Sequence, residues 1–394
     1  MYKKDFPYFK NSNVVYLDNA ATTQKPQAVI DSQVEYYEHY CANTHRSNFG
    51  DANKATQKYE NARKHLRSFI NASKNEEIIF TKGVTESINF IAHSFANSFD
   101  TVIISSLEHH SNIVPWHMQG RTLHKGLEVV KYTSDLDFDF ENFEALLQKY
   151  PKAFVSVTHI SNAFGKINDL KAIIKLAHKY EAVVLVDGAQ SLAHMAIDVQ
   201  ALDVDFLALS AHKSFAPTGV GAVYVKEEHL NKLLPYQTGG ATIDKVDFES
   251  STLLDSPYKF EAGTQNIAGV IGFSQALSYI ESVGYKQIQA YEEELYAYLD
   301  EQLHTIEEIK FYNSIQHAIG SRSFNIKGIV HDDIGILLDK MHIAVRVGHH
   351  CAQPIMKALG IKGTIRVSIA FYNDKEDIDQ FITALKKAIA MLKG

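Results

Sequence analysis

The 394-residue chain contains few cysteines and no long apolar segment. Its two cysteines, Cys41 and Cys351, are too few for the disulfide framework of a small exported protein. No run of 18 apolar residues is present, which argues against a transmembrane helix. The opening residues, MYKKDFPYFKNSN, also lack the apolar core of a signal peptide. We therefore expect a cytoplasmic protein with no membrane partner.

The chain also lacks an excess of positive charge. Its 39 basic and 46 acidic residues give a formal net charge of −7, which argues against a nucleic-acid partner held by bulk charge. Neither a GxxxxGKS/T phosphate loop nor a GxGxxG dinucleotide fingerprint is present. The chain does have the composition of a globular enzyme, because its 45% hydrophobic residues are enough for a large core.

Six short apolar runs predict buried β-strands, because runs that are apolar at nearly every position are typical of strands covered on both faces. These runs lie at 77–83, 100–106, 153–160, 182–188, 205–213 and 221–225. Helical patterns, such as 84–97 and 169–180, lie between most of them. Strands that alternate with helices predict an α/β fold with a mostly parallel, doubly wound sheet.

The pattern changes after the glycine pair at 239–240. Residues 241–260 have an irregular pattern, and a long helical stretch follows over roughly 266–309. Strand candidates at 321–328 and 364–372 come next, with a terminal amphipathic helix from about Lys375. This change predicts a large α/β domain over 15–270 and a smaller α+β domain over 275–394, which also takes the N-terminal segment 1–14.

Polar side chains follow the predicted strands at the point where each strand ends. In a doubly wound sheet, the carboxyl ends of the strands form the ligand site. After the first strand, the segment KGVTES at 82–87 opens a helix, and the free backbone N–H groups at such a start bind anions. The polar residues that follow the other strands are His109, Asn162, Asp187, Gln190, Ser210, His212 and Lys213.

Together these residue types match the needs of one small molecule, pyridoxal 5′-phosphate. Its aldehyde needs a lysine that holds it as a Schiff base, and its ring nitrogen needs a carboxylate. Its phosphate needs N–H and hydroxyl donors. Its ring face accepts a flat imidazole, and its phenolic oxygen accepts a hydrogen bond from an amide. The order of the polar residues therefore predicts a pyridoxal phosphate site.

Taken one at a time, these residues also have structural explanations. Asp187 could cap a helix or bind a metal ion, and Asn162 could shape a turn. Thr85 and Ser87 could cap a helix. His109 could be a buried histidine that satisfies its own hydrogen bonds. The set as a whole favours the cofactor.

The stretch RVGHHCAQP at 346–354 sets Cys351 in a polar, turn-prone segment. A cysteine that serves packing usually lies buried like a small hydrophobic residue, and we expect this of Cys41, which follows YYEHY. Neighbouring side chains in an extended chain point apart, so His349, His350 and Cys351 lack ordinary zinc spacing. We therefore expect no metal site there, and Cys351 is a candidate for chemistry.

Several stretches carry a resemblance that covers essentially the whole chain. They are YLDNAATTQKP, THRSNF, TKGVTESIN, EHHSNIVPW, THISNAFG, VDGAQS, SAHKSFAPTGVG, FEAGTQN and RVGHHCAQP. Together they resemble the class V aminotransferase-fold enzymes and, more narrowly, the cysteine desulfurases of the SUF type, which are related to selenocysteine lyases. The resemblance implies a pyridoxal-phosphate-dependent transferase of fold type I, with a mostly parallel, seven-stranded-type sheet, and a homodimer.

The resemblance also implies a role for each site residue. The catalytic residues would be Lys213, His109 and Cys351, with the cofactor bound covalently to Lys213. The other cofactor contacts would be Asp187 at the ring nitrogen, His109 on the ring face, Asn162 and Gln190 near the phenolic oxygen, and Thr85, Ser210 and His212 at the phosphate. Thr264 would reach the phosphate of the cofactor in the partner subunit.

For the substrate, the resemblance implies L-cysteine. Arg366 would clamp the substrate carboxylate as a bidentate fork. The residues His45, Arg46 and Arg346 would line the pocket. Lys213 would take the α-proton as a base.

Cys351 would attack the substrate sulfur as a thiolate, because the thiol is a poor nucleophile. Alanine would leave, and a persulfide on Cys351 would pass to a small sulfur-acceptor protein for iron–sulfur cluster assembly. Nearby imidazoles or Arg346 could raise the thiolate fraction, and the sequence does not show which does. The same site could instead serve a selenocysteine lyase, a cysteine-sulfinate desulfinase or a class V aminotransferase-like enzyme with another amino-acid substrate. A non-catalytic assembly subunit could also keep this fold.

Overall fold

The computed structural model describes residues 2–95, 98–123 and 126–394. The helices are α1 (Tyr8–Asn11), α2 (Gln27–His39), α3 (Gly50–Phe69), α4 (Val84–Phe95), α5 (Val114–Leu123), α6 (Phe140–Lys149), α7 (Leu170–Lys179), α8 (Ser191–His194), α9 (Val199–Leu202), α10 (Glu227–Leu230), α11 (Ile267–Val283), α12 (Tyr285–His304), α13 (His331–Lys340), α14 (Gln353–Ala358) and α15 (Lys375–Lys393). In the described ranges, none of them has the length and hydrophobicity that crossing a bilayer takes.

The strands are β1 (Val15–Tyr16), β2 (Ile78–Thr81), β3 (Thr101–Ser105), β4 (Gly126–Val130), β5 (Phe154–Thr158), β6 (Val183–Asp187), β7 (Phe206–Ser210), β8 (Gly221–Val225), β9 (Ile243–Val246), β10 (Ser251–Leu253), β11 (Ile309–Phe311), β12 (Ser321–Ile326), β13 (Ile343–Ala344), β14 (Arg346–Gly348) and β15 (Thr364–Ser368). Short 3₁₀ turns at His110–Asn112 and Ala211–Lys213 follow β3 and β7.

Seven of the described strands form one sheet in the order β2-β8-β7-β6-β5-β3-β4. β8 runs antiparallel to β2 and β7, and the other neighbours are parallel. Six of these strands lie within the six predicted runs, and α4 and α7 lie where helices are predicted. The prediction of a mostly parallel α/β sheet is confirmed. Residues 96–97, the end of the predicted helix 84–97, lie outside the described residues.

The sequence does not predict β4, which pairs with β3 at the edge of the sheet. Its first four residues are exposed or half-buried, and Val130 at its end is buried. A strand with one side open to solvent does not need an unbroken apolar run. The segment GLEVV therefore lacks the signal that marks the central strands.

A second sheet, in the order β11-β12-β15-β14, is antiparallel throughout. Apolar side chains of α12, α13 and α15 pack against β12 and β15 in a core separate from that of the large sheet. Val15 and Leu17 also lie in this second core, where β1 pairs with β13. The limits of the two domains stay a prediction, and the structure adds that the chain near Val15 packs with the C-terminal unit.

The predicted helical stretch 266–309 forms two helices, α11 and α12. The chain turns between them at Gly284, whose φ of 84° is easy for glycine and costly for other residues. Apolar residues of α11 belong to the core of the large sheet, whereas those of α12 belong largely to the second core. The segment 241–260, expected to be irregular, contains the hairpin of β9 and β10, whose mostly exposed strands carry no apolar run.

A buried ion pair ties α3 to the segment before α11. Arg63 is 1% exposed, and its Nη1 and Nη2 donate to the two carboxylate oxygens of Glu261 at 2.7 and 2.9 Å. Glu261 also accepts hydrogen bonds from the Tyr59 hydroxyl at 2.9 Å and from the Phe80 N–H of β2 at 2.7 Å. The Arg63 guanidinium is buried, and its charge is compensated by this buried carboxylate together with the half-buried Glu60, which lies 3.0 Å from its Nε.

We expect Glu261→Gln to lower the free energy of unfolding by about 3 kcal/mol, because a buried guanidinium would lose its buried counter-charge and keep only the half-buried Glu60. Chemical denaturation followed by circular dichroism measures the loss. The matched control is Glu294→Gln, which removes the exposed partner of Lys375 and should cost less than about 1 kcal/mol. Equal losses in the two variants would contradict the structural role of the buried pair.

Candidate active site

The carboxyl ends of the parallel strands open onto a cavity of about 730 Å³. Strands β3, β5, β6 and β7 are neighbours in the sheet, so the residues that follow them meet at one edge. The predicted site residues that line this cavity are Thr85, His109, Asn162, Asp187, Gln190, Ser210, His212, Lys213 and Arg346. The structure thus brings most of the predicted site together, although these residues span more than half of the sequence.

Lys213 and Asp187 form the electrostatic centre of the cavity. Lys213 lies in the 3₁₀ turn after β7, and Asp187 ends the neighbouring strand β6. Burial lowers the pKa of Lys213 to about 8, while the negative charge of Asp187 opposes the change. Burial also raises the pKa of Asp187, against a hydrogen bond from the Ala189 N–H and the charge of Lys213. A lysine that loses its proton near neutral pH is suited to nucleophilic and base chemistry.

The loop between β2 and α4 forms an anion cradle at the cavity. Gly83 has a φ of 144°, and a Cβ atom on Gly221 of β8 would lie 2.5 Å from the Gly83 Cα. Both positions therefore require glycine, which lets the loop run directly against the strand. The first backbone N–H groups of α4 have no acceptor inside the helix, so they are available to an anion at its N-terminus.

Of the hydroxyls that were candidates for this cradle, Thr85 and Ser210 line the cavity and Ser87 does not. Ser87 is fully buried, and its Oγ lies 2.9 Å from Thr81 Oγ1 and 3.3 Å from a carbonyl oxygen of β8. Ser87 thus fastens α4 to the sheet. Ser111, which the sequence does not single out, lies at the cavity with its Oγ 2.7 Å from Thr85 Oγ1.

Two predicted amides and one predicted histidine on the cavity wall form hydrogen bonds with neighbouring parts of the chain. Asn162 Nδ2 donates to the His350 carbonyl at 2.8 Å, and Gln190 Nε2 donates to the Ala20 carbonyl at 2.9 Å. An amide NH₂ group has two protons, so each side chain keeps one donor for a ligand. Burial lowers the pKa of His212 to about 4, with help from the charge of Lys213. His212 is therefore a neutral donor or acceptor at neutral pH.

Three imidazoles near the cavity accept hydrogen bonds from backbone N–H groups. The pairs are His109 Nδ1 with Ser111 N at 3.1 Å, His349 Nδ1 with Cys351 N at 3.1 Å, and His110 Nε2 with Gln353 N at 3.2 Å. A ring nitrogen that accepts a hydrogen bond carries no proton, and burial lowers the pKa of His110. Burial, followed by the charge of Lys213, lowers the pKa of His109 to about 3, in agreement with this geometry.

Cys351 lies in a tight turn between β14 and α14. His350 and Cys351 have left-handed φ values of 51° and 55°. The Cys351 carbonyl accepts a hydrogen bond of 2.7 Å from the His110 N–H, which fastens the turn to the segment after His109. Cys351 is half-buried and is not among the residues that line the cavity, but it is near enough for its charge to act on the pKa of Lys213.

Arg346 links the Cys351 thiol to the cavity. Its Nη2 lies 3.6 Å from Cys351 Sγ, and its side chain lines the same cavity as Lys213. A guanidinium is always charged, whereas burial lowers the pKa of both His109 and His110. The structure therefore favours Arg346 over the imidazoles as the cation that stabilises a thiolate.

Arg366 does not appear on the cavity wall, although it is predicted to bind the substrate carboxylate. It is fully buried, with its Nη2 2.6 Å from Asp18 Oδ1 and its Nη1 2.9 Å from the Asn162 carbonyl oxygen. Its charge still reaches the site, because it helps to lower the pKa of Lys213. The clamp stays a prediction, and Asp18 is a neighbour that the sequence does not reveal.

Three predicted site residues, His45, Arg46 and Thr264, line a second cavity of about 840 Å³. Within one chain, His45 and Arg46 do not line the cavity of Lys213, and their contact with the substrate stays a prediction. The loop that carries them is fastened to α3, because the His45 N–H donates to Thr56 Oγ1 at 2.9 Å. Contact of Thr264 with the cofactor of a partner subunit stays a prediction.

Cys41 is exposed, which corrects the expectation that it packs in the interior. The buried position belongs to the preceding residue, Tyr40, which is 1% exposed. Helix α2 ends at His39, so the helical period does not determine which way the side chain of Cys41 points.

One group of side chains within the described ranges has the proximity of a metal site: Asp205, Glu228 and His229. Asp205 already accepts hydrogen bonds from His229, His178 and the Val184 N–H. Although burial raises the pKa of Asp205, these bonds lower it overall to about 2. Hydrogen bonding thus accounts for the cluster, and none of its members lines the cavity of Lys213.

The residues of the cavity fit pyridoxal phosphate. Lys213 supplies an amine that loses its proton near neutral pH, Asp187 supplies a buried carboxylate, and α4 supplies backbone N–H groups at its start. The aldehyde, ring nitrogen and phosphate of the cofactor need these three groups. The volume of about 730 Å³ also lies within the usual range of small-molecule sites, roughly 300 to 1,000 Å³.

Comparisons with known proteins agree with this geometry. Residues 15–381 match the family model of the class-V aminotransferases. A cysteine desulfurase of Synechococcus elongatus is 42% identical over 98% of this chain and 63% of its own length. A probable cysteine desulfurase of Halalkalibacterium halodurans is 42% identical over 98% of this chain and 96% of its own length.

A solved structure gives the same result. The apo structure of a cysteine desulfurase from Thermococcus onnurineus NA1 matches with a TM-score of 0.94 and 37% identity, over 98% of this chain and 96% of that one. The chain spans less than two thirds of the Synechococcus protein but nearly all of the other two. The chain belongs to the class-V aminotransferase family and, within it, to the cysteine desulfurases.

Proposed function

We propose that this protein converts L-cysteine into L-alanine and takes up the sulfur as a persulfide on Cys351. The observation that carries the proposal is the position of Arg346, which lies 3.6 Å from Cys351 Sγ and lines the cavity of Lys213 and Asp187. Desulfuration needs one group that removes the α-proton and a second that accepts the sulfur. The amine of Lys213 and the thiol of Cys351 can serve as these two groups, because Arg346 lies beside the thiol and lines the cavity of the amine.

Pyridoxal phosphate, when bound, supplies an electron-poor ring that takes up the electron pair left at the substrate α-carbon. Lys213 would hold it covalently, Asp187 would bond to its ring nitrogen, and the start of α4 would bind its phosphate. The amine of Lys213 has a pKa of about 8, close to neutral pH, which suits a general base that takes the α-proton. His109 would cover the ring face as a neutral imidazole.

Sulfur transfer would use the thiolate of Cys351. The thiolate attacks the sulfur of the bound cysteine, so that an S–S bond forms while the substrate C–S bond breaks. The electron pair of the broken bond stays with the carbon skeleton, which gains a proton and leaves as alanine. Arg346 stabilises the thiolate by its charge and hydrogen bond.

The half-buried position of Cys351 supports delivery of its sulfur to a second protein. We propose a small sulfur-acceptor protein of the iron–sulfur assembly pathway, in the cytoplasm, as the SUF-type resemblance implies. We also propose a homodimer, because apolar side chains stand exposed on α2 and at the tip of the β9–β10 hairpin. These side chains are Ile30, Val34, Tyr37 and Phe248.

The role of Cys351 predicts a clean separation between cofactor binding and turnover. We expect Cys351→Ala to keep bound pyridoxal phosphate and to lose sulfide release from cysteine by about 100-fold or more, because the sulfur acceptor is gone. Mass spectrometry of the parent protein after incubation with cysteine should find one added sulfur atom on the Cys351 peptide. The control Cys41→Ala should keep full activity. Normal turnover in Cys351→Ala would refute the nucleophile role.

The pKa of Lys213 predicts the pH dependence of cofactor loading. When pyridoxal phosphate is added to cofactor-free protein, the rate of covalent bond formation should rise with pH and level off above about pH 8, because the neutral amine attacks. Stopped-flow absorbance measures the rate, and Lys213→Ala should form no borohydride-reducible adduct. A rate that keeps rising toward pH 10.5, the ordinary value for lysine, would contradict the effect of burial.

The position of Arg346 predicts the reactivity of the thiol. We expect Arg346→Gln to slow alkylation of Cys351 by iodoacetamide at pH 7 by about fivefold, because the thiolate loses its neighbouring cation. Peptide mass spectrometry follows Cys351 separately from the exposed Cys41. The control Arg67→Gln, on α3 and outside both cavities, should leave the rate unchanged. An unchanged rate in Arg346→Gln would show that Arg346 does not stabilise the thiolate and would favour the imidazoles instead.

A further inference from the structure

Glu108 is a fully buried carboxyl directly before His109, and neither proton transfer nor sulfur transfer uses it. Its Oε1 accepts hydrogen bonds from the Thr158 N–H at 2.8 Å and from the Ser105 hydroxyl, and its Oε2 accepts from Asn112 Nδ2 at 2.7 Å. Burial raises its pKa to about 8, although the three bonds oppose the rise. Burial of a carboxyl group costs free energy of folding unless hydrogen bonds compensate for it. The partners in those bonds therefore indicate which parts of the structure Glu108 holds together.

The three bonds join the segments that carry the catalytic groups. Ser105 ends β3, and Asn112 ends the 3₁₀ turn that follows His109. Thr158 ends β5 and is the cross-strand partner of Asp187 in β6. Glu108 therefore fixes the spacing between the backbone at His109 and the backbone beside Asp187.

Asn112 has a single orientation, which makes the bond to Glu108 specific. Its Oδ1 accepts hydrogen bonds from Trp116 Nε1 at 3.0 Å and from Ser156 Oγ at 2.5 Å. Its NH₂ group must therefore face Glu108, and rotation of the amide would break both other bonds. Asn112 is itself fully buried, so no water replaces a lost partner.

We propose that Glu108 is a positioning residue that sets the imidazole of His109 in the cavity. The Nδ1 of the ring accepts a hydrogen bond from the Ser111 N–H at 3.1 Å. The backbone before and after His109 is fixed by the bonds of Glu108 to Ser105 and Asn112. The ring thus has a narrow range of orientations relative to Lys213. The consequence for catalysis rests on the proposed function, but the positioning itself does not.

Glu108→Gln tests this proposal, because its NH₂ group replaces one carboxyl oxygen and cannot accept a hydrogen bond. With its oxygen toward the Thr158 N–H, its NH₂ group would face the NH₂ group of Asn112. We expect kcat for cysteine to fall about 10- to 100-fold, as for a misplaced catalytic group. KM should change by less than about twofold, because the substrate contacts remain.

A measurement without cofactor or substrate separates positioning from turnover. The imidazole nitrogens are labelled with ¹⁵N, and the signals of His109 are identified by their loss in His109→Gln. We expect the Nδ1 signal of His109 to move in Glu108→Gln, because the bond from the Ser111 N–H weakens when the clamped backbone shifts. A merely structural role would lower the unfolding temperature and leave this signal in place.

The double variant Glu108→Gln with Asn112→Asp restores the bonding pattern with the two groups exchanged. The new amide donates to the new carboxylate, which still accepts from Trp116 and Ser156. We expect this variant to recover the His109 signal and most of kcat. If Glu108→Gln does not fold, recovery of folding and of the signal in the double variant supports the proposal in the same way.

Two results would overturn the proposal. One is a His109 signal in Glu108→Gln that is identical to that of the parent protein. The other is a double variant that folds and leaves the signal displaced. If the signals behave as expected while the parent protein releases no sulfur from cysteine, the positioning role stands and the proposed function fails.

Discussion

The balance of charge between Lys213 and Asp187 is the interaction on which the rest of the site depends. Burial drives both groups toward their neutral forms, and each charge holds the other back. The two residues meet because β6 and β7 are parallel neighbours that end at the same edge of the sheet. Arg346 and Arg366 add positive charge, which lowers the pKa of Lys213 further and favours anionic ligands in the cavity.

The thiol of Cys351 is a second reactive group, and Arg346 lies beside it while also lining the cavity of Lys213 and Asp187. Arg346 belongs to the small antiparallel sheet, yet its side chain reaches the cavity of the large one. The turn at Cys351 is held by the backbone of His110 and by the ring of His349. These histidines therefore support the turn, and Arg346 is the cationic side chain beside the thiol.

Much of the fold and of the site can be predicted from the sequence because the central strands are buried on both faces. Their apolar runs are visible, and the polar residues that follow them, such as Lys213 and Asp187, can be placed at one edge. The sequence does not reveal hydrogen bonds between separate segments. His45 is held on α3 by Thr56, and Arg366 is held by Asp18, so their surroundings cannot be read from local pattern.

Two further differences have a local explanation. Thr85 and Ser87 lie two positions apart on α4, and such side chains point to different faces of a helix, so only one of them lines the cavity. Helical periodicity could therefore have separated them. Glu108 carries no such signal, because a glutamate beside two histidines resembles a surface group until its three donors are known.

The contact between Gly83 and Gly221 has a consequence for how this site can change over evolutionary time. Position 221 has no room for even a methyl group, because a Cβ atom there would clash with the Leu209 carbonyl oxygen and would lie 2.5 Å from the Gly83 Cα. A side chain at position 221 would therefore displace both strand β7 and the loop before α4. The shape of the anion cradle is therefore inherited together with the strands behind it, whatever substrate its neighbours come to select.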